Sequence, residues 1–218
     1  MKRMRQMASP LGDFSSGATL GGELLRYRRK QNIYTQGAPA YTLFYIQEGG
    51  VRLTTRTKQQ PAAVTAILGA GDFFGEICLA GYPLRMSTAV VLTASSIRTI
   101  QKKKMMQMLR KNNKTSNAML AYLLSSVQKY KDHVAELMTS SSEQRLARVL
   151  LRLAHLDRRD AAAAMEIPTI SHQVLAEMVG TTRQRINLFM NRFRKRGFIS
   201  YNGRTEIRKS LKKVLRPH

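Results

Sequence analysis

Residues 171–218 hold the pattern that most restricts how this chain can fold. Ser171 can cap a short apolar helix, Gly180 permits a tight turn, and Thr182 or Thr181 can cap a second helix. Apolar residues at helical spacing supply the buried faces of the two helices: Val174, Leu175, Met178, Ile186, Phe189, Met190 and Phe193. The pattern predicts a helix-turn-helix, and an unrelated pair of antiparallel helices is the alternative.

A hairpin signal follows the second helix. Asn202-Gly203 is the dipeptide that favours a tight β-hairpin turn most strongly. A helix-turn-helix followed by a hairpin is a winged helix, and Arg204 would then lie near the tip of the wing.

The chain is strongly basic. It holds 37 Lys and Arg against 13 Asp and Glu in 218 residues, a formal net charge of +24. Per residue the excess is greatest in residues 171–218, where 12 basic side chains accompany 2 acidic ones. This density predicts a polyanionic partner, and basic side chains that merely coat solvated faces are the alternative.

Several classes of protein are excluded or disfavoured by composition. Cys78 is the only cysteine, so neither an intramolecular disulfide nor a four-cysteine iron–sulfur cluster can form, and its apolar neighbours predict a buried thiol. No apolar run approaches the length of a membrane span, so a soluble cytoplasmic protein without a membrane partner is expected. We find no metal-ligand spacing, phosphate loop or nucleophile with its base, and therefore expect no enzyme.

The chain divides into four predicted segments. We expect a flexible leader over residues 1–21, a β domain over 22–114, a long helix over 115–140 and the winged helix-turn-helix over 141–218. Short β-like runs in the second segment, such as 42–46, 51–55, 88–93 and 96–100, predict a sandwich, barrel or roll.

Two connections are also predicted. A break between β-runs is expected at Glu48-Gly49-Gly50, because glycines interrupt strands. A loop is expected from Asp157 to Ile167, before the last domain.

The predicted long helix carries an apolar seam. Its members are spaced alternately three and four residues apart: Leu120, Leu123, Val127, Tyr130, Val134 and Leu137. A second copy of the chain could cover this seam, or the helix could lie on its own β domain. Residues 115–140 carry 2 basic and 2 acidic side chains, and this neutrality favours the dimer because two copies could meet without repulsion.

Two motifs in this order resemble a known family. Phe74-Gly75-Glu76-Ile77 resembles the Gly-Glu phosphate-binding turn of the catabolite activator and fumarate–nitrate regulator (CRP/FNR) family, and residues 175–183 resemble its DNA-reading segment. The resemblance covers about residues 22–215. It implies an α+β fold, with an N-terminal β-roll like a cyclic-nucleotide-binding domain, a long dimerisation helix and a C-terminal winged helix-turn-helix. It also implies a homodimeric, sequence-specific transcription regulator that binds palindromic double-stranded DNA and contacts RNA polymerase.

The resemblance and the docking geometry of the motif yield candidate DNA-binding residues. They are Thr181, Thr182, Arg183, Gln184, Arg185, Asn187, Arg192 and Arg204. Arg183 and Arg185 suit guanine or phosphate, whereas Gln184 and Asn187 suit adenine edges. Gln184 and Leu188 depart from the family pattern, so the half-site cannot be transferred from known members. An architectural protein that coats DNA without reading it is the alternative function.

The resemblance also implies effector-binding candidates in the β-roll. They are Gly75, Glu76, Ile77, Arg85, Ser87, Thr88 and, on the long helix, Tyr130. Ser87 stands where the family places its phosphate-binding arginine, and Arg85 comes two residues earlier, about 6.6 Å along a strand. The effector is unknown: cyclic AMP is one candidate, and a structural turn with a surface or ion-paired Arg85 is the alternative. The cysteine and histidine positions do not suit an iron–sulfur or haem sensor.

Overall fold

The computed structural model describes residues 21–57, 62–156, 164–202 and 204–215. They fall into two compact units, one built from residues up to 51 and 68–133, the other from 52–67 and 134–218. Of the predicted leader, residues 1–20 lie outside the described residues.

The N-terminal half forms a six-stranded sheet. Its strands are β1 (Glu23–Tyr27), β2 (Asn32–Tyr34), β3 (Thr42–Thr55), β4 (Ala63–Gly69), β5 (Phe73–Phe74) and β6 (Thr88–Gln101). The order along the sheet is β1-β6-β3-β4, while β2 also pairs with β6 and β5 with β3. This is the predicted roll, and we refer to it below as the β-roll.

The predicted strand break at Gly49 is wrong, because β3 runs through Gly49 without interruption. The neighbouring strand β6 runs past it, also without interruption, through residues 94 and 95. Gly49 has a φ of +93°, and a Cβ there would lie 2.6 Å from the carbonyl oxygen of Ala94. The backbone amide of Gly50 donates to Ser95 Oγ at 3.0 Å. Glycine therefore permits β3 to approach β6 closely here, rather than ending the strand.

Two helices follow the sheet, α1 (Lys102–Lys111) and α2 (Asn113–Thr139). The Tyr122 hydroxyl of α2 donates to the carbonyl of Phe73 at 3.0 Å and accepts from its amide at 2.7 Å. The thiol of Cys78 is buried in the same core, as predicted. No helix in the described ranges is long and apolar enough to cross a bilayer.

The apolar seam of α2 is exposed in the single chain. All six of its members have large exposed fractions: Leu120 57%, Leu123 37%, Val127 49%, Tyr130 47%, Val134 53% and Leu137 43%. A different side of the helix, with Met119 and Tyr122, contributes to the core of the β-roll. The helix therefore does lie on its own β domain, through Met119 and Tyr122, but its apolar seam is not the face that packs there.

The C-terminal half is a winged helix. Its elements are α3 (Ser142–Leu156), β7 (Ala164–Ile167), α4 (His172–Val179), α5 (Arg183–Lys195), β8 (Ile199–Asn202), β9 (Arg204–Arg208) and a 3₁₀ helix (Lys209–Leu215). The three strands form a sheet in the order β7-β9-β8. The predicted loop over 157–167 is wrong for residues 164–167, which pair with β9, and residues 157–163 lie outside the described ranges.

Candidate nucleic-acid interface and effector site

The turn between α4 and α5 has the predicted geometry. Ser171 Oγ accepts from the amide of Val174 at 3.3 Å and caps α4. Gly180 ends that helix with a φ of +68°, a left-handed conformation that favours glycine. Thr182, rather than Thr181, caps α5 by accepting from the amide of Arg185 at 3.3 Å.

One face of α5 is buried and the opposite face is free of contact with the core. The buried side chains are those of Ile186, Met190 and Phe193. Because successive helical residues are about 100° apart, Gln184 and Leu188 lie at the centre of the outer face. The two edges of this face carry the other candidates that lie on α5: Arg183 and Asn187 on one side, and Arg185 and Arg192 on the other.

Two of these candidates are engaged by other helices of the same domain. Asn187 Oδ1 is hydrogen-bonded to Nδ1 of His172, the first residue of α4. Arg192 Nη1 pairs with Glu143 Oε2 on α3 at 2.7 Å. Arg183, Gln184 and Arg185 extend from exposed positions of α5. The outer face therefore combines exposed cations and amides with side chains whose orientation is set by neighbouring helices.

Leu188 belongs to this surface although we did not include it among the DNA-binding candidates. It is 56% exposed at the centre of the outer face, one helical turn after Gln184. An exposed leucine there offers an apolar contact of the kind that recognises the thymine methyl group. Its spacing of four residues from Gln184 is the signal that could have identified it.

The wing places a further cation near the sheet edge. Asn202 on β8 pairs with Arg204 on β9, as a hairpin requires, while Gly203 lies outside the described residues. Arg204 Nη1 forms an exposed ion pair with Glu166 Oε2 on β7 at 2.9 Å. Such an exposed pair adds little stability, so DNA phosphate can compete for the guanidinium.

In the β-roll, the Gly-Glu turn is built around glycine. Gly75 has a φ of +72° and precedes a 3₁₀ helix, Glu76–Ala80. A Cβ at Gly75 would lie 2.5 Å from Arg85 Nη1 and 3.4 Å from the ring of Phe44. The backbone conformation thus favours glycine, and the Arg85 guanidinium lies where a Cβ would otherwise be.

The Arg85 side chain is buried at this turn, with 4% exposure. Its Nη2 donates to Thr42 Oγ1 at 2.7 Å and its Nη1 to the Gly75 carbonyl at 3.4 Å. The guanidinium lies 4.4 Å from the ring centre of Tyr34 and 5.2 Å from that of Phe44. Burial lowers the pKa of Arg85.

The interpretation of Arg85 as a surface or ion-paired residue is wrong, since among the described residues it forms no ion pair. Its predicted offset along a strand does not apply either. The strand β6 begins only at Thr88, so Arg85 lies before it and its side chain reaches the turn directly.

The remaining effector candidates lie around this turn or at its edge. Burial raises the pKa of Glu76, and nearby Asp72 adds to the effect. Tyr130 is half-exposed, and the pKa of its hydroxyl is raised by burial and by the nearby carboxylate of Glu76. The others have local roles: Ser87 hydrogen-bonds Tyr34, Thr88 Oγ1 accepts from the amide of Gln36 at 3.0 Å, and Ile77 is 38% exposed.

Comparison with known families identifies both halves of the chain. The profile of the cyclic nucleotide-binding domain matches residues 24–112, and that of the Crp-like helix-turn-helix domain matches residues 144–212. The chain belongs to the CRP/FNR family. This member is a sequence-specific DNA-binding transcription regulator with an α+β fold, as the resemblance implied.

Curated relatives agree with this assignment. The cAMP-activated global transcriptional regulator CRP of Escherichia coli O157:H7 is 27% identical over 184 residues, which cover 84% of this chain and 87% of the relative. The CRP-like cAMP-activated global transcriptional regulator of Mycobacterium tuberculosis is 22% identical over 182 residues, covering 83% and 81%. Both of these relatives are therefore transcriptional regulators by name, which agrees with the DNA-binding domain found here.

Solved structures share the fold. FixK2 from Bradyrhizobium japonicum superposes with a TM-score of 0.75 at 19% identity, over 89% of this chain and 96% of that one. A CRP-family transcriptional regulator from Thermus thermophilus gives a TM-score of 0.74 at 24% identity, over 88% and 96%.

Proposed function

We propose that this CRP/FNR family regulator acts as a homodimer that reads a palindromic duplex with its two α5 helices. The outer face of α5 carries the proposal, because its buried side is fixed to the domain while its polar side faces away from the core. In this docking geometry two such helices enter successive major grooves about 34 Å apart.

The proposal assigns base contacts to the centre and one edge of that face. Arg183 suits guanine, Gln184 suits adenine, and Leu188 suits the thymine methyl group. Arg185, Arg192 and Arg204, with the capping residues Thr181 and Thr182, are assigned to phosphates. The ion pair of Arg204 with Glu166 is exposed, so its exchange for phosphate costs little. In the Arg192 pair the Glu143 side chain is only 19% exposed, so that exchange costs more.

The α2 seam supports the dimer. Six apolar side chains at three- and four-residue spacing are 37–57% exposed, a contiguous stripe of the kind that a monomer rarely leaves in water. A second copy presents the same stripe, so a two-fold interface buries both at once. The segment's balanced charge lets the copies approach despite the net charge of +24.

The β-roll supports a second assignment, control by a small anionic effector. Arg85 is buried without an opposite charge among the described residues, and its Nε has no hydrogen-bond partner there. A phosphate beside Gly75 and Arg85 would supply that charge, and the turn amides could hold its oxygens. A purine would meet Tyr130 and Lys131 on α2, at the place where the cyclic AMP sensor of this family offers a Thr-Ser pair.

The partners in this proposal are double-stranded DNA, a second copy and RNA polymerase, in the bacterial cytoplasm. The polymerase contact is included because the resemblance to the CRP/FNR family implies it.

The deciding experiment is a selection from random duplex DNA at near-physiological salt, with and without cyclic AMP. We expect a palindromic motif, and we expect Arg183→Ala to weaken specific binding by about 1–3 kcal/mol and to relax one base position in each half-site. Arg196→Ala, at the C-terminal end of the same helix, is the matched control and should weaken all sequences alike.

Each result of this selection has a defined meaning. Enrichment of a motif only when cyclic AMP is present supports an anion-binding site at Arg85. Equal enrichment with and without cyclic AMP would mean that Arg85 only stabilises the turn. Failure to enrich any motif would contradict the proposal and favour the architectural protein.

A further inference from the structure

The contact between His172 and Asn187 joins the two helices of the motif at the edge of the outer face. His172 is the first residue of α4, and Asn187 is four residues after Arg183 on α5. Asn187 is exposed, so the contact lies beside the surface assigned to DNA. The core of the domain is formed by the apolar side chains of α3, α4 and α5 and does not require this polar contact.

The chemistry of the contact determines what Asn187 can still offer. An amide oxygen only accepts hydrogen bonds, so this contact requires a form of His172 that carries a proton on Nδ1. The carboxamide is then oriented with Oδ1 toward α4, and its Nδ2 amino group, with two donors, points away from His172.

This orientation opposes adenine recognition. Bidentate recognition of adenine needs both ends of the carboxamide, with the oxygen accepting from N6 and the nitrogen donating to N7. Guanine presents two acceptors in the major groove, N7 and O6, and thymine presents one, O4. Adenine also presents one acceptor, N7, beside its N6 donor. A carboxamide that offers donors alone therefore favours guanine, the base with two acceptors.

We propose that His172 is a positioning residue for base specificity: it holds Asn187 so that this side chain selects guanine rather than adenine. The proposal rests on the proposed DNA-reading role of α5. It replaces the expectation that Asn187 contacts adenine, and it assigns a role to a histidine that lies outside the recognition helix.

The test compares base preferences in five proteins: the wild type, Asn187→Ala, His172→Ala, His172→Gln and Gln173→Ala. Each is taken through the duplex selection, and the preferred and competing duplexes are then titrated. Gln173, the exposed neighbour on α4, is the matched control and should keep the wild-type preference. Affinity for a random duplex and the thermal midpoint show that each variant is folded.

We expect Asn187→Ala to reduce the preference for guanine at one position of each half-site by about three- to tenfold. His172→Ala should shift that same position toward adenine, because the released carboxamide can present both of its ends. His172→Gln should restore the wild-type preference, since its amide nitrogen can donate to the same oxygen.

Three results would overturn the inference: an adenine preference of the wild type at the position that depends on Asn187, an unchanged preference in His172→Ala, or no position that depends on Asn187. In each of these a wild-type motif is still present, and the proposed function stands. Failure of the wild type to enrich a motif would instead remove the proposed function, and this inference with it.

Discussion

At the scale of single residues, the β-roll contains two charged side chains that burial pushes toward their neutral forms. Burial lowers the pKa of Arg85 and raises that of Glu76. No ion pair joins them among the described contacts, so neither charge compensates the other there. Two aromatic rings and two oxygen acceptors stabilise the guanidinium instead.

The raised pKa of Glu76 predicts a pH dependence of stability. The folded state binds this proton more tightly than the unfolded state, whose reference pKa is 4.5. The stabilisation that the folded state gains from this tighter proton binding is therefore complete below pH 4.5. It is lost as pH rises through the pKa that Glu76 has in the folded state. Glu76→Gln should raise the thermal midpoint at about pH 8 and leave it nearly unchanged at about pH 4. Glu23→Gln, at an exposed position of β1, is the control. A change in thermal midpoint for Glu76→Gln that is the same at both pH values would contradict the prediction.

At the scale of elements, α2 uses different faces for different purposes. Met119 and Tyr122 fasten it to the β-roll, while the seam from Leu120 to Leu137 remains exposed. The seam was predictable because its spacing is a local property of the sequence. The attachment through the Tyr122 hydroxyl was not, because it depends on a backbone segment 49 residues away.

Adding charge to the seam should separate the proposed dimer. Val127→Glu combined with Tyr130→Glu is expected to give monomers, because each would bury unpaired carboxylates in the interface. Light scattering measures the mass. Ser125→Glu with Gln128→Glu adds the same charge on exposed positions outside the seam and should leave the dimer intact. A dimeric mass for the seam variant would place the interface elsewhere.

At the scale of the whole molecule, the net charge of +24 makes DNA binding strongly salt-dependent. Affinity for both a selected duplex and a random duplex of equal length should fall as salt rises, with a log–log slope of about −0.9 for each phosphate contacted. The ratio of the two affinities should stay large, because base contacts do not depend on released counterions. Fluorescence anisotropy at several salt concentrations measures both, and a ratio near unity would favour the architectural protein.

Much of the architecture was predictable from local patterns. The caps of α4 and α5, the hairpin on either side of residue 203 and the apolar seam involve residues close in the sequence. The strands were harder to delimit, because β3 passes through Gly49 where local reasoning expects a break. The short strand β7 was missed because its pairing partner, β9, lies about forty residues later in the chain.

Residue type and short-range spacing are enough to establish the order of elements, the helix-turn-helix, the basic charge and the apolar seam. The position of Arg85 beside Gly75 and the contact of His172 with Asn187 emerge only when the chain is folded. These contacts join residues 10 and 15 positions apart that lie in different segments of the fold, so they depend on how the segments pack. Packing sets such distances, and no local pattern records them.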